Sequence, residues 1–500
     1  MGTRRVFGLL LLMCVVVYLA VANVARHRLP PRPGIGTDEL MVMGSLRLLR
    51  CPADQQRASG DTYCTTFSVP ERRDRPDARR IGLRVELVRS DAQVAEQDLV
   101  VLLAGGPGQS ATESYDAIAR AFEPLLEHRH VLLLDQRGTG GSNALVCAAP
   151  AGHVSEEPDG IRARTRACLA KVEHEADPRF YTTTDAVEDL EALRQALGAP
   201  GLDLVGISYG TRVAQQYLMR HPEGVRSVVM DGVVPNVQAL GDHAATDLEQ
   251  ALRAQLALCT ADPLCKARFG DPWQTLQRVR LALRTTPRPV VYRDARTFAE
   301  KTGTMTENTL IGLVRLFAYS TETSALLPLV LDEADHQRFA PLLGQASLLD
   351  AQLDGVAEGM ALSVLCTEDI GLLIARPEER NLLLGDTLVR GQQLECEIWP
   401  HGRQPADFHV PVHSNVPALL LSGELDPVTP PAGAEEVLRG LTRSRHLTAR
   451  GNGHNTIVRG CIPRLAAEFV EKLDPRGLDA SCTASIGPMA AFTSFDGASP

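Results

Sequence analysis

The sequence predicts an α/β fold, in which a mostly parallel sheet is flanked by helices and interrupted by an inserted helical cap. Apolar runs such as "DLVVLLAG" (98–105) and "HVLLLDQRG" (130–138) are continuous, which is typical of strands buried on both faces. These runs alternate with helical stretches, and such alternation favours a parallel sheet. Between residues 234 and 405 the buried β-type runs stop and helical patterns replace them.

Each further element has its own signal. "TTTDAVEDLEALRQALG" (182–198) predicts a helix, because threonines precede it, apolar residues recur at helical spacing and Gly198 ends it. The other elements are two strands before the insertion, two strands after it and a final helix: "GLDLVGIS" (201–208), "VRSVVMDG" (225–232), "VPALLLSGELD" (416–426), "SRHLTARG" (444–451) and "RLAAEFVEKL" (464–473).

The chain therefore divides into six predicted segments. In order, they are a signal peptide or N-terminal anchor, a Pro- and Arg-rich linker or arm, the first part of the α/β core, the helical cap, the second part of the core and a tail: 1–25, 26–50, 51–233, 234–405, 406–485 and 486–500.

The N-terminus predicts export. Arg4 and Arg5 precede an apolar run from Val6 to Ala22 that ends in the small-residue pattern Ala-Val-Ala. As a helix the run would extend about 25 Å, short of the roughly 30 Å hydrocarbon core. Cleavage by a signal peptidase is our first interpretation. An uncleaved anchor is the alternative, because the apolar character continues to Val24. Both place the body of the protein outside the cytoplasm, in a periplasm or secreted.

Cysteine usage agrees with export. One cysteine, Cys14, lies in the apolar leader, and the other ten contain no C-x-x-C pair of metal-site spacing. An even number in an exported chain suggests disulfides, whereas free buried thiols would be expected in a reducing compartment. The spacing suggests five local bridges: Cys51–Cys64, Cys147–Cys168, Cys259–Cys265, Cys366–Cys396 and Cys461–Cys482.

Charge and composition exclude some partners. The formal net charge is −10 with no block of basic residues, which argues against nucleic acid and against a polybasic membrane-binding patch. Apolar residues make up 44% of the chain, enough for a large core.

A candidate nucleophile lies where a predicted strand meets a predicted helix. Ser208 is the central residue of Gly206-Ile207-Ser208-Tyr209-Gly210. Glycines on both sides permit a tight turn that exposes the hydroxyl at the carboxyl end of the sheet. The alternative is that Ser208 belongs to a turn with a structural role only. The presence of a suitable base and acid elsewhere in the chain would favour the catalytic interpretation.

A serine needs a base and an orienting carboxylate. His454 in "GNGHNT" follows the last predicted strand on a Gly-rich loop, whereas His446 falls within that strand. Asp426 ends the preceding strand, and Asp231 is the alternative because it also ends a strand. The chain order Ser208, Asp426, His454 is the order expected for a serine on such a turn.

An oxyanion needs two preorganised donors. The backbone N–H of Tyr209, directly after the serine, is one candidate. "LLAGGPGQS" (102–110) follows the first long buried strand and offers the second; we choose Gly106, with Gly105 next, because Pro107 has no N–H.

Together these motifs resemble the α/β-hydrolase fold, and more narrowly the proline iminopeptidases and secreted tripeptidyl aminopeptidases. The resemblance covers about residues 50–480 and is carried by five motifs in order: "GGPG" (105–108), "DQRGTGGS" (135–142), "GISYGT" (206–211), "SGELDPVTPP" (422–431) and "GNGH" (451–454). It implies release of N-terminal residues or short peptides by a serine mechanism, with no metal or cofactor, beneath a helical cap.

Two positions depart from proline iminopeptidases. Ala104 stands where that family has a histidine before "GGPG", and Tyr209 stands where it typically has tryptophan. Export, the cysteines and the C-terminal segment fit the tripeptidyl-aminopeptidase branch better.

An aminopeptidase must bind a free α-ammonium, so its partners are peptide substrates with a free N-terminus and its cap should carry carboxylates. We expect the site among Glu368, Asp369, Glu395 and Glu397, which flank Cys366 and Cys396, although solvated surface acids are the alternative. A carboxylesterase for small esters and a non-catalytic binding protein on the same scaffold are the rival functions.

Overall fold

We analysed a computed structural model, which describes residues 40–147, 157–353 and 355–495. The predicted leader, residues 26–39 of the predicted arm and the last five residues of the tail lie outside these ranges. Within them, no helix combines the length and the apolar character needed to cross a membrane.

One ten-stranded sheet organises the molecule, with the spatial order β1-β2-β3-β4-β6-β5-β7-β8-β11-β12. Strands from β6 to β12 in this order pair in parallel, as predicted, and β1 to β4 form an antiparallel extension. The strands are β1 Leu40–Met43, β2 Leu46–Arg50, β3 Thr62–Pro70, β4 Arg80–Val88, β5 Leu99–Leu103, β6 Val131–Leu134, β7 Leu202–Ile207, β8 Val225–Asp231, β9 Arg288–Arg293, β10 Glu300–Met305, β11 Ala418–Gly423 and β12 Ser444–Ala449.

Helices cover both faces of the sheet. The α-helices are α1 Ala111–Ile118, α2 Glu123–Leu126, α3 Pro158–Val172, α4 Thr183–Leu197, α5 Tyr209–Arg220, α6 Ala244–Ala261, α7 Pro263–Phe269, α8 Pro272–Thr285, α9 Glu307–Phe317, α10 Thr321–Ser324, α11 Leu327–Asp335, α12 Ala340–Leu353, α13 Glu358–Val364, α14 Thr387–Cys396, α15 Pro431–Leu438 and α16 Ile462–Lys472.

The two faces of the sheet have separate cores. Along β5, Val101 and Leu103 pack with residues of α4 and α5, whereas Val100 and Leu102 pack with residues of α1 and α16. Successive side chains of a strand point to opposite faces, so a strand between two helical layers is apolar at every position. This explains the continuous apolar runs of the sequence.

The helix predicted over 182–198 has the expected ends. The Thr182 side chain accepts a hydrogen bond from the backbone N–H of Asp185, and Gly198 ends the helix in the left-handed conformation with φ of 68°.

The segment between β8 and β11 is mostly helical, with a core of its own that includes Leu252, Leu276 and Phe317. It also contains the antiparallel hairpin β9–β10, which the sequence analysis does not anticipate. Most side chains of this hairpin are exposed, so it lacks the buried apolar runs that identify the strands of the main sheet.

The predicted linker is partly wrong. Residues 40–50 form β1 and β2 at the edge of the main sheet, and β2 pairs with β3. Leu48 is buried there, whereas Leu49 is exposed. An edge strand of this length buries too few residues to stand out from a Pro- and Arg-rich flank.

All five predicted cysteine pairs are confirmed. The Cα atoms within each pair lie 4.8–6.3 Å apart, and sulfur–sulfur bonds join Cys51–Cys64, Cys147–Cys168, Cys259–Cys265, Cys366–Cys396 and Cys461–Cys482.

Candidate active site

Ser208 occupies a sharp turn between β7 and α5. Its backbone has φ of 55°, a conformation that few non-glycine residues adopt, and its N–H donates to the carbonyl of Asp231 at 2.8 Å. A Cβ on Gly210 would lie 2.0 Å from the carbonyl oxygen of Leu103, and one on Gly206 would lie 2.6 Å from that of Gly210. Both glycines are therefore required by close backbone contact, and the turn holds the serine at the carboxyl edge of the sheet.

Asp426 and His454 meet beyond the ends of β11 and β12. The Nδ1 of His454 donates to Oδ2 of Asp426 at 2.7 Å. The other carboxylate oxygen accepts from the backbone N–H groups of Val428 and Thr429, each at 2.9 Å. Both side chains are buried. An imidazole held at Nδ1 presents Nε2 as the atom that can accept a proton.

The charge of the imidazole depends on this contact. Burial lowers the pKa of His454, but the Asp426 carboxylate and its hydrogen bond, with a smaller contribution from the charge of Asp231, outweigh burial and raise the pKa above its ordinary value. The carboxylate therefore stabilises the imidazolium that forms when the ring accepts a proton.

Asp231, the alternative acid, is engaged elsewhere. Its Oδ1 accepts from the Thr456 hydroxyl and its Oδ2 from the backbone N–H of Ile457, both at 2.8 Å. Burial raises the pKa of Asp231 to about 6. The hydrogen bonds of Asp231 tie the loop after β12 to the sheet rather than orient the imidazole.

Thr429 is a site residue that the sequence analysis missed. Its hydroxyl donates to Oδ2 of Asp426 at 2.8 Å and lies 3.0 Å from Nδ1 of His454. Thr429 stands three residues after Asp426 in "DPVTP". A hydroxyl at this spacing can hydrogen-bond to the aspartate, as in a helix cap, so the spacing is the sequence signal that could have identified Thr429.

A cavity of about 1450 Å³ is lined by Ser208 and His454 together with residues of the mostly helical segment between β8 and β11. Gly106 also lines it. Gly105 lies directly behind, since a Cβ there would be 3.2 Å from Cβ of Ser208. The loop that should supply the second oxyanion donor thus reaches the serine.

Only the backbone of Tyr209 is suited to an oxyanion. Its side chain is buried, and the hydroxyl lies 2.7 Å from the Thr183 hydroxyl and accepts from the Gln136 amide at 3.1 Å. As the first residue of α5, Tyr209 has an N–H without an intrahelical partner.

Two of the predicted ammonium ligands do not reach the cavity. Glu368 accepts from the backbone N–H of Thr183 at 2.6 Å and from the Thr183 hydroxyl at 2.8 Å. Burial, reinforced by the charge of Asp369, raises the pKa of Glu368 to about 8. Asp369 accepts two hydrogen bonds from buried Arg212, at 2.8 and 2.9 Å. Both carboxylates bind internal groups and neither lines the cavity, which disfavours their prediction as ammonium ligands.

The other two predicted ligands differ from each other. Glu397 pairs with Arg162 at 2.9 Å and does not line the cavity. Glu395 does line it, with Arg164 at 3.7 Å, and burial raises the pKa of Glu395.

Two cavity acids that the sequence analysis missed lie at the start of the helical segment that follows β8. Asp242 and Asp247 both line the cavity. Asp242 binds Arg376 at 2.8 Å through Oδ2, while its Oδ1 is buried without a hydrogen-bond partner. Burial, with repulsion from Asp426, Glu379 and Asp242, raises the pKa of Asp247 to about 7. The segment after β8 begins at the carboxyl edge of the sheet, where ligands bind in such folds. This position in the chain is the sequence signal that could have identified both acids.

One group of side chains outside the cavity has ligand atoms close enough together to hold a metal ion. Among the described residues, Glu191, His221 and Glu223 bring ligand atoms within 4.8 Å of one another. Glu191 already binds Arg194, Gln195 and Tyr217 at 2.6–2.7 Å. We assign no metal to this group.

Comparison with known families agrees with this geometry. Residues 98–265 match the family described as "alpha/beta hydrolase fold", and residues 381–482 match the family described as "TAP-like protein". The protein has the alpha/beta hydrolase fold. The resemblance inferred from the motifs is confirmed, and the second match covers the segment of this hydrolase-fold protein that supplies Asp426 and His454.

Three curated relatives show the range of similarity. The chain is 29% identical to serine protease Hip1 of Mycobacterium tuberculosis (strain ATCC 25618 / H37Rv), over 44% of this chain and 44% of that protein. It is 28% identical to tripeptidyl aminopeptidase of Streptomyces coelicolor, over 34% and 35%, and 31% identical to proline iminopeptidase of Arabidopsis thaliana, over 27% and 26%. The chain thus matches less than half the length of each of these relatives.

Proposed function

We propose that this protein is an exported serine aminopeptidase, which releases N-terminal residues or short peptides through an acyl-enzyme on Ser208. The observation that carries the proposal is the 2.7 Å contact between Asp426 and His454, made beside a cavity that His454 and Ser208 both line. The similarity to proteins named as a serine protease, a tripeptidyl aminopeptidase and a proline iminopeptidase supports peptides as substrates.

In the proposed mechanism, the Ser208 oxygen attacks the scissile carbonyl while His454 Nε2 takes its proton. Asp426 keeps the imidazole in the required tautomer and stabilises the imidazolium. The backbone N–H groups of Gly106 and Tyr209 stabilise the oxyanion. His454 then gives the proton to the leaving amine. In the second half of the reaction, His454 takes a proton from a water molecule that attacks the acyl-enzyme, and it returns that proton to the Ser208 oxygen as the acyl group leaves.

Asp247, with Asp242 beside it, is our revised assignment for the substrate's ammonium. Asp247 lines the cavity, and among the described residues no cationic side chain pairs with it. Mutual repulsion within this acidic group is relieved when a cation binds, so an ammonium is favoured there.

We also propose that the protein is exported and that its helical segment is a cap inserted into the α/β core. Five disulfides support folding in an oxidising compartment. The helical segment between β8 and β11 supports a cap inserted over residues 234–405.

The first test is a substrate panel with Ser208→Ala as the control. Tripeptidyl and aminoacyl amides, with p-nitrophenyl esters beside them, separate a peptidase from the carboxylesterase alternative. Ser208→Ala should lower kcat on the order of 10⁶-fold, because the three groups act as a unit. A fluorophosphonate probe should label the wild type alone. More than about a tenth of the activity in Ser208→Ala would reject the nucleophile.

The ammonium assignment has a separate test. Asp247→Asn should lower kcat/KM about 10- to 150-fold on peptides with a free N-terminus, the size expected for a charge-assisted hydrogen bond. It should scarcely change hydrolysis of a small acyl ester, and N-acetylation should mimic it in the wild type. Glu397→Gln is the matched control outside the cavity. Equal losses on free, acetylated and ester substrates would place the ammonium elsewhere.

A further inference from the structure

One face of α9 runs from the imidazole along the cavity wall. Gly312, Arg315, Leu316 and Tyr319 all line the cavity, and their spacing of three, four and seven residues places them on one side of the helix and its C-terminal extension. Beyond α9, the carbonyl of Tyr319 accepts from the backbone N–H of His454 at 2.7 Å. The Tyr319 and His454 rings are 5.6 Å apart. This face is therefore fixed relative to the imidazole.

The imidazole marks the leaving-group side of the site. In acyl transfer the protonated histidine gives its proton to the departing amine, so that amine must lie beside His454. Arg315 precedes Tyr319 by one turn, about 6 Å along the helix. An extended peptide advances roughly 3.3 Å per residue. The long arginine side chain is thus within reach of the first or second residue after the scissile bond.

Arg315 is the charged residue of this cavity-lining face. Among the residues that the structure describes, no carboxylate pairs with its guanidinium, whereas Arg164, which also lines the cavity, pairs with Glu395. Next to Arg315, a Cβ on Gly312 would meet no atom within 4 Å. The cavity wall therefore combines a cation with open space for a ligand.

We propose that Arg315 is a specificity-determining residue that binds a carboxylate on the leaving-group side of the substrate; this inference rests on the proposed aminopeptidase function. The carboxylate is either the C-terminus of a short peptide or an acidic side chain just after the scissile bond. A guanidinium can bind both kinds of carboxylate through a planar pair of N–H donors. If Asp247 also binds the ammonium of the substrate, the cavity would then recognise one charge of each sign.

The test uses matched peptides that share one accepted tripeptidyl unit. The first pair is tripeptidyl-Ala as free acid and as C-terminal amide, and the second is tripeptidyl-Glu amide and tripeptidyl-Gln amide. Tripeptidyl p-nitroanilide, which has no carboxylate, reports acyl transfer and folding in every variant. The full-length protein is assayed as wild type, Arg315→Gln and Arg315→Lys. Arg164→Gln is the control, because it removes the same charge from another wall of the same cavity.

The wild type should prefer the carboxylate of at least one pair by about tenfold in kcat/KM. Arg315→Gln should bring that ratio close to one, Arg315→Lys should keep part of it, and Arg164→Gln should leave the ratio as in the wild type. The pair that responds identifies the source of the carboxylate. A wild-type ratio near one in both pairs, or an unchanged ratio in Arg315→Gln, overturns the role of Arg315 alone. Failure of the wild type on the nitroanilide and all four peptides overturns the aminopeptidase function as well.

Discussion

At the residue scale, two carboxylates end adjacent strands near one imidazole, and hydrogen bonds separate their roles. Asp231 ends β8 and Asp426 follows β11, which pairs with β8. Asp231 directs both oxygens to Thr456 and Ile457, whereas Asp426 directs one to His454. Burial alone does not distinguish the two acids, because both are almost inaccessible.

We therefore expect Asp426→Asn to impair catalysis far more than Asp231→Asn. An amide at position 426 can donate to Nδ1 and favour the wrong tautomer, so kcat should fall about 10³- to 10⁴-fold. Asp231→Asn should mainly lower the free energy of unfolding, because it weakens the anchor of the loop that carries His454. Steady-state kinetics and denaturant unfolding of both variants test this. The reverse kinetic ranking would move the orienting acid to Asp231.

The raised pKa of His454 predicts the pH dependence. As pH falls through that pKa the imidazole becomes protonated and can no longer accept the serine proton, so kcat/KM falls on the acid side. The acid limb should lie above the ordinary histidine value of 6.5. In Asp426→Asn the attraction is lost while burial remains, so the limb should move to lower pH. The profile should be measured with an ester substrate, which has no ammonium for Asp247 to bind. An acid limb that lies at the same pH in Asp426→Asn and in the wild type would contradict the effect of Asp426 on the pKa of His454.

At the element scale, the turn between β7 and α5 depends on the contact of Gly210 with the end of β5. This contact lets the helix approach the sheet closely, and it fixes where the serine emerges. The Thr183–Tyr209 contact then ties the start of α5 to the start of α4. Ser208 is thus positioned by β5, α4 and α5 rather than by its own turn alone.

Gly210→Ala should accordingly destabilise the protein severely. The added methyl carbon would lie 2.0 Å from a backbone oxygen that cannot move without shifting β5, so we expect a loss of about 3 kcal/mol or more. Gly391→Ala is the matched control, because Gly391 is inside α14 with no atom within 4 Å of a new Cβ. It should be neutral or stabilise by up to about 1 kcal/mol. Equal unfolding midpoints for the two variants would disprove the contact.

At the scale of the whole molecule, disulfides reinforce both the core and the insertion. Cys366–Cys396 closes a loop of 30 residues across the cap's return to the sheet, and Cys259–Cys265 closes a loop of 6 within the cap. A cross-link restricts the unfolded chain more when its loop is longer.

Replacing both cysteines of the longer loop by alanine should therefore cost more stability. The chain-entropy difference between loops of 30 and 6 residues is about 1.4 kcal/mol. Denaturant unfolding of the two double-alanine variants under non-reducing conditions measures it, with the oxidised wild type as reference. A larger loss from removing Cys259–Cys265 would contradict this ordering.

The buried sheet could be predicted from sequence because its strands lie between two helical layers and are apolar throughout. The residues at their carboxyl ends follow from the parallel pairing, which brings Ser208, Asp426 and His454 to one edge. The cap could not be treated in this way. Glu368 and Asp369 lie on a π-helical turn, Leu365–Asp369, so the side they face cannot be read from helical spacing. Asp247 and Arg315 reach the cavity only because of how the cap helices pack over the sheet.

The position of the insertion has a consequence for biosynthesis. Ser208 precedes the cap in the chain, while Asp426 and His454 follow it, so under our assignment a nascent or truncated polypeptide carries a nucleophile without its base. More than two hundred residues must be translated and folded after the serine before hydrolysis can begin. A polypeptide truncated within the helical segment between β8 and β11 would therefore lack both Asp426 and His454 and, under our assignment, would be inert.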